Sequence, residues 1–338
     1  IVALTDEHRI LAHYGLKRLN AQPSEGLSSI IRICGLEEQN ITIDDIVFKI
    51  GPRINAAGRM ESGRIAVELL TASDEATAIR IGSEINEHNN ERKNIDRRIT
   101  QEALEMVESG NCLSSGKATI VYNPEWHKGV VGIVASRLVE AFYKPTVVFT
   151  KSQGGFVTGS ARSVHGFDLY GAIESCADLL VNFGGHTYAA GLSLPAQNIP
   201  LFRQRFEQSV KEHIRPEQVN AVLCIDAEID FRDISRRMAS DIKRFAPYGP
   251  DNSKPLFCTR QVYDYGTSKV VGRDQEHIKL ELVDSKSSNV MNGIAFGQSS
   301  QARYIKTKRA FDIVYHIEEN SHKRGEVQLQ IEDIKPRE

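Results

Sequence analysis

Apolar residues recur at helical spacing in the first third of the chain and alternate at strand spacing in the last third, with the two patterns interleaved between. Thr5 or Asp6 caps a first helix carrying Ile10, Leu11, Tyr14 and Leu19, which Pro23, Ser24 and Gly26 end. Residues 1 to about 72 read as short helices and loops. From Asp74 to about Val107 there is no Pro and a single Gly, Gly82, so one long helix is expected. It spans on the order of 50 Å at a rise of 1.5 Å per residue. Ala78, Ile81 and Ile85 make one end apolar, and Ile95, Ile99, Leu104 and Val107 the other, whereas Asn86 to Asn94 carry nothing apolar. A helix polar all round at its centre is expected to bridge two globular bodies, as an interdomain strut.

Beyond a loop at Gly110–Gly116 the pattern alternates. Ala118–Tyr122, Thr146–Thr150 and Phe156–Ser160 read as strands, and Gly191–Leu194 as a strand end. Val130–Phe142, Phe167–Leu180 and Ile199–His213 read as helices. That order predicts an α/β domain around a central sheet. After about Asn220 strands dominate: Val222–Ile229, Leu256–Tyr263, His277–Val283, Val290–Phe296, Phe311–Ile317 and Val327–Ile334, with one helix near Ile234–Phe245. Ile278, Leu280 and Leu282 alternate cleanly, as do Phe311, Ile313, Tyr315 and Ile317. Such a set fits a small barrel of the OB-fold kind. The fold class expected is therefore α/β plus β. Its parts are 1–72 as a helical remnant of another domain, 73–110 as the connecting helix, 111–217 as the α/β domain and 218–338 as the barrel.

Composition narrows the setting. The 338 residues are 41% hydrophobic and 25% charged, ordinary for a globular protein, and no apolar run approaches the roughly 20 residues that span a bilayer. Cys34, Cys112, Cys176, Cys224 and Cys258 are scattered and form no C-x-x-C pair, which argues against a zinc knuckle or disulfide framework and suits a reducing, cytoplasmic setting. A net charge of −2 gives no global attraction to nucleic acid, so a phosphate-binding surface has to be local.

Three segments carry candidate chemistry. In Gly51-Pro52-Arg53-Ile54-Asn55-Ala56-Ala57-Gly58-Arg59, two arginines flank small residues. Small side chains let backbone approach a ligand, and guanidinium forks suit phosphate oxygens; a tight packing turn with two solvated arginines fits equally. Gly159-Ser160-Ala161-Arg162-Ser163 leaves a strand with hydroxyls, amides and one Arg, which reads as an anion site or as a surface turn. In Gly184-Gly185-His186-Thr187-Tyr188-Ala189-Ala190-Gly191, paired glycines expose amides before a His, although a lone His is more often structural.

In this order the three segments resemble the motifs of RecJ-type exonucleases, members of the DHH phosphoesterase superfamily with a DHHA1 domain. Pro124-Glu125-Trp126-His127-Lys128-Gly129 through Arg137, Ala246-Pro247-Tyr248-Gly249-Pro250-Asp251-Asn252 and the Asn320, Gly325, Gln328-Leu329 ending are similar to that family too. The likeness covers nearly the whole chain. One departure is Ala161, where the family commonly has Gly; a methyl there is expected to narrow the approach of backbone to phosphate.

The resemblance implies a 5′-to-3′ single-strand-specific DNA exonuclease that uses two divalent ions, manganese or magnesium, held by Asp and His side chains. The sequence contains neither the Asp-rich motif nor Asp-His-His, and the alignment is expected to put the last metal-binding Asp immediately before Ile1. No metal is therefore expected on this fragment, and no nuclease activity from it alone. The resemblance assigns Arg53, Asn55, Arg59, Ser160, Arg162, Ser163, Gly184, Gly185 and His186 to substrate phosphate, with Asn55 orienting an arginine and His186 in a supporting role. Trp126 and His127 precede a helix and are candidates for DNA contact, though packing is the simpler role for the only Trp. In the barrel, Tyr248, Lys254, Arg260, Tyr263, Tyr265, Lys269, Arg273, Lys279 and Lys306 are candidates for holding the incoming strand, while Phe311 and Tyr315 are read as core. Single-stranded DNA is the expected partner, with a single-strand-binding protein or a helicase as protein partners and no membrane. Two other readings remain: a phosphoesterase of the same superfamily acting on short oligonucleotides or cyclic dinucleotides, and a non-catalytic single-strand-binding module.

Overall fold

The computed structural model describes residues 2–110, 116–287, 289–320 and 325–337; Cys112 and most of the expected Gly110–Gly116 loop lie outside them. Two bodies emerge, one of residues 19–222 and one of residues 1–18 with 223–338. The first residues thus group with the barrel and not with a 1–72 unit.

Helix α1 (Asp6–Ala21) leads into α2 (Glu25–Ile33). A capping box between Thr42 and Asp45 starts α3 (Ile43–Asp45), which runs through a π-helical stretch, Ile46–Ile50, into α4 (Gly51–Met60). The first motif is therefore a helix, with Pro52 directly after the π-helical stretch. After α5 (Arg64–Leu70) comes α6 (Glu75–Glu108), which Asp74 caps by accepting the Thr77 N–H at 2.8 Å. Ile30, Leu36, Ile50, Leu69, Ile81 and Ile85 form the core of this helical layer.

The centre of α6 departs from the solvated strut expected of it. Asn89 and Asp96 are fully buried or nearly so, and α4 and α7 (Val131–Phe142) pack along the same helix. Polar residues tolerate burial when they pair, and here Asp96 faces arginines, as described below. The helix lies within one body throughout 19–222.

The α/β layer holds β1 (Thr119–Tyr122), β2 (Thr146–Lys151), β3 (Phe156–Arg162), α8 (Leu169–Glu174), β4 (Asn182–His186), β5 (Ala189–Pro195) and α9 (Ile199–His213). Strand order is β1-β2-β3-β5-β4, with only β1–β2 parallel. The helix expected over Phe167–Leu180 is cut short after Glu174, where the Ser175 hydroxyl donates to the Ala172 carbonyl at 2.8 Å and a 3-10 turn, Ala177–Leu179, follows. One sheet face, with Val147, Phe149, Val157, Ala161, Ala190, Leu192 and Leu194, is sealed by Phe202 and Phe206 of α9. The opposite face receives α7 and the end of α6 over Val121 and Val148. On β5 and β4 that face stays open: Gly191, Gly184 and His186 are exposed.

The second body contains β6 (Ala227–Glu228), α10 (Arg236–Lys243), β7 (Phe257–Asp264), β8 (Lys269–Val271), β9 (His277–Asp284), β10 (Val290–Ala295), α11 (Ala302–Ile305), β11 (Phe311–Glu319) and β12 (Val327–Pro336). The order β7-β11-β12-β10-β9 closes through a β7–β9 pairing into a five-stranded barrel, with β6 and β8 as short additions. The strand expected over Val222–Ile229 shrinks to β6, where Ala227 and Glu228 pair with Phe257 and Cys258 of β7; Val222, Leu223 and Ile225 stay exposed. Phe311 and Tyr315 are core, as expected. The Tyr315 hydroxyl lies 2.8 Å from Thr259 Oγ1, and burial pushes its pKa well above the ordinary tyrosine value. Among the described residues, no helix is long and apolar enough to cross a membrane.

Gly159 sits opposite Phe149, and a Cβ there would lie 2.5 Å from the ring. Gly159→Ala overpacks the core and is expected to cost about 1–3 kcal/mol, lowering the urea midpoint without changing the m-value.

Candidate phosphate-binding site

The site is built where α4, α6 and α7 meet β3. Antiparallel pairing places Arg162 opposite Ala189, and Ala189 opposite His186, so the three share one row and one face. Two residues away, Ser160, Gly191 and Gly184 form the next row on that face. Gly184 and Gly191 have nothing within 4 Å of where a Cβ would project, which leaves a strip of bare backbone between Ser160 and the sheet edge. Gly185 is required for another reason: at φ 155° a Cβ would meet the Ala189 carbonyl at 2.3 Å.

The first turn of α7 overhangs Ser160 and Arg162. A Cβ on Gly132 would lie 2.9 Å from Ser160 Oγ and 3.0 Å from an Arg162 Nη. No side chain caps this helix, so its amide dipoles face the same space uncompensated. The Arg162 Nη1 group donates to Ser160 Oγ at 3.0 Å and to the Ala161 carbonyl at 2.8 Å, which fixes its direction. Arg59, at the end of α4, donates to the Gly129 carbonyl at 3.2 Å, and α4 backbone abuts this loop. Within the loop, the Gly129 N–H donates to His127 Nδ1 at 3.2 Å, leaving Nε2 as the protonated nitrogen of a neutral ring.

Two further arginines join from positions the motifs did not include. Asp96 on α6 accepts from Arg137 of α7 at 3.0 Å and lies 3.9 Å from Arg92. Arg92 also donates to Asn89 Oδ1 at 3.3 Å. Burial lowers the pKa of Arg162 from the ordinary arginine value, and repulsion from Arg59 lowers it further. Burial likewise lowers that of Arg92; Asp96 opposes this, while Arg59 and Arg137 add to it. Arg59 thus bears on both Arg162 and Arg92, and Arg137 on Arg92, with Asp96 as the acid beside Arg92 and Arg137. The buried Nδ2 of Asn89 and Nε of Arg92 have no hydrogen-bond partner. Arg92 and Arg162 are partly desolvated and Arg59 and Arg137 exposed, an excess of positive charge over the one carboxylate of Asp96 that makes this the candidate anion site.

Several assignments move. Arg53 does not join this group: its Nε donates to Asn86 Oδ1 at 3.0 Å and Nη1 to the Lys49 carbonyl at 2.8 Å. Six residues separate it from Arg59, so helical pitch points the two side chains to different sides of α4. Asn55 is exposed one turn before Arg59 and on its side of α4, and it is Asn86, not Asn55, that orients Arg53. Ser163 has a structural bond, its hydroxyl donating to the Phe167 carbonyl at 2.9 Å. Ala161 points into the core on the far face, so its methyl does not narrow the phosphate side. Trp126 is 4% exposed and donates from Nε1 to Glu102 at 2.7 Å; it is a packing residue with no ring face free for a base.

The barrel candidates divide. The Tyr248 hydroxyl donates to the Ile242 carbonyl, Lys254 pairs with Glu318, and Arg260 donates to Glu228 at 2.6 Å. Those groups are committed to internal partners. Lys269 and Lys279 are direct cross-strand neighbours, both exposed, with Arg273 in the intervening loop; none makes an ion pair among the described residues. Tyr265 is exposed just before β8 and Phe296 just after β10. Lys306 is exposed and Tyr263 half-buried.

A RecJ OB domain family matches residues 225–333, and a DHHA1 domain family matches residues 115–212. The single-stranded-DNA-specific exonuclease RecJ of Bacillus subtilis is 32% identical over 335 residues, 98% of this chain and 42% of that protein. The chain belongs to the RecJ family. RecJ of Salmonella typhimurium is also 32% identical, over 347 residues, 99% of this chain and 59% of that protein. The chain therefore spans about half the length of these RecJ relatives. The crystal structure of Thermus thermophilus RecJ in complex with Mn2+ superimposes with a TM-score of 0.81 at 25% identity, over 100% of this chain and 48% of that one. The expected DHHA1 α/β domain and OB barrel are both present.

Removing the one acid of the cluster tests its architecture. Asp96→Ala leaves Arg92 and Arg137 without their counter-charge. It is expected to destabilise the chain by roughly 2–4 kcal/mol in urea unfolding, moderated because Arg137 is half exposed.

Proposed function

We propose that this chain grips the 5′ end of single-stranded DNA in a 5′-to-3′ exonuclease whose phosphodiester hydrolysis uses two divalent metals held by residues outside this sequence. The observation that carries the proposal is the grouping of Arg59 with Arg162 and Arg92, and of Arg92 and Arg137 on Asp96, beside the start of α7, which no side chain caps. A terminal phosphate and its neighbouring phosphodiester supply the compensating negative charge. They also supply acceptors that fit guanidinium forks and helix amides. The glycine strip of β4 and β5 gives the nucleotide backbone room to lie against the sheet, with His186 at roughly 10 Å from Arg162, two strand spacings away. In the barrel, Lys269, Arg273 and Lys279, with Tyr265 and Phe296, offer the charge and stacking surface that a sequence-tolerant single-strand track needs. No Asp and His set of the two-metal kind is present in this sequence, so the role derived for its residues is binding and positioning.

Equilibrium binding of this chain to a short single strand, with and without a 5′ phosphate, tests the reading. The phosphorylated strand is expected to bind more tightly. Arg162→Ala or Arg59→Ala is expected to weaken it by about 1–3 kcal/mol, roughly 5- to 150-fold, and to erase the preference. Lys269→Ala and Lys279→Ala should each reduce the slope of log K against log salt by about 0.7, and Lys254→Ala should not. Equal binding of both strands by the parent chain, unaltered by Arg162→Ala, contradicts the proposal.

A further inference from the structure

One cluster of metal-capable side chains lies outside the arginine site. Glu84 and His88 stand one turn apart on α6, and Glu61 follows the last residue of α4; their ligand atoms all lie within 4.8 Å of one another. His88 Nε2 is sealed from solvent and has no hydrogen-bond partner, yet it sits 3.2 Å from Glu61 Oε2. An imidazole nitrogen that faces a carboxylate at this distance without hydrogen-bond geometry is arranged as two ligands of one ion would be.

We infer that Glu61, Glu84 and His88 form a binding site for a divalent transition-metal ion, with Zn2+ as the representative ligand. Two carboxylates and a neutral imidazole carry two negative charges, which a divalent ion balances. Mixed oxygen and nitrogen donors suit zinc and its neighbours better than calcium or magnesium, which favour oxygen alone. Ligand bonds of about 2.0–2.2 Å put tetrahedral ligand atoms about 3.4 Å apart. The Glu61–His88 pair already meets that spacing, and rotation of the part-exposed Glu84 side chain closes the rest. The competing partner of Glu84 is Arg80 at 3.8 Å, an exposed ion pair of the kind that contributes little. An ion here ties the end of α4, two residues after Arg59, to α6.

Zn2+ titration of this chain by calorimetry, with cysteines kept reduced, tests the assignment, and Co2+ as a spectroscopic stand-in reports the ligands. One saturable site is expected, with visible Co2+ bands and no thiolate charge-transfer band. His88→Gln and Glu84→Gln are each expected to weaken the ion at least tenfold. Glu84→Gln alters only a part-exposed side chain and so keeps the test valid if His88→Gln does not fold. Absence of saturable binding, a thiolate signature, or unchanged affinity in Glu84→Gln overturns it.

Discussion

The arrangement turns on gathering mutually repelling guanidinium groups, of which Arg92 and Arg162 are partly withdrawn from water while Arg59 and Arg137 stay exposed. Arg59, Arg92, Arg137 and Arg162 come from α4, α6, α7 and β3, and each is brought in by a different piece of backbone. Asp96 is the buried acid that makes the gathering tolerable, and α6 puts it there because its polar centre is packed between α4 and α7. One acid does not neutralise four bases. The remaining positive charge is what the proposed phosphate binding rests on, and Gly184 and Gly191 leave open space on the neighbouring strands.

Much of this was legible in the chain. Alternation marked β9 and β11, whose Ile278, Leu280, Leu282, Phe311, Ile313, Tyr315 and Ile317 are all buried, and Ile199–His213 has the bounds expected of it. Of the three glycine-rich segments that the sequence singles out, two share adjacent rows of one sheet face. β4 was not anticipated as a strand, since Asn182–His186 lacks an apolar alternation and is held by its pairing with β5 alone. β8 was missed because it has only three residues, Lys269–Val271, too few to show a period.

The largest misreading concerned α6. Asn86 to Asn94 is polar and most of it is exposed, but nothing local shows that Asn89, and Asp96 just beyond, will be buried against neighbouring helices. Arg92 and Arg137 were missed with it, because neither lies in a glycine-rich segment. The signal was the spacing Asn89, Arg92, Asp96, which puts three polar groups on one helical face, a pattern expected of a buried network as well as of a wet surface. Arg53 was over-read, since residue type without helical phase cannot say which way a guanidinium points. In the barrel, Lys254 and Arg260 were indistinguishable by sequence from Lys269 and Lys279, and only their acidic neighbours separate them.

Arginine-specific chemical labelling of this chain, read by mass spectrometry with and without a saturating 5′-phosphorylated single strand, addresses the central claim at the residues concerned. Arg59, Arg137 and Arg162 are predicted to lose reactivity when DNA is present, while Arg53 keeps its own. Protection of Arg53 with continued labelling of Arg162, or no change at any of them under conditions where the strand is bound, would contradict the account.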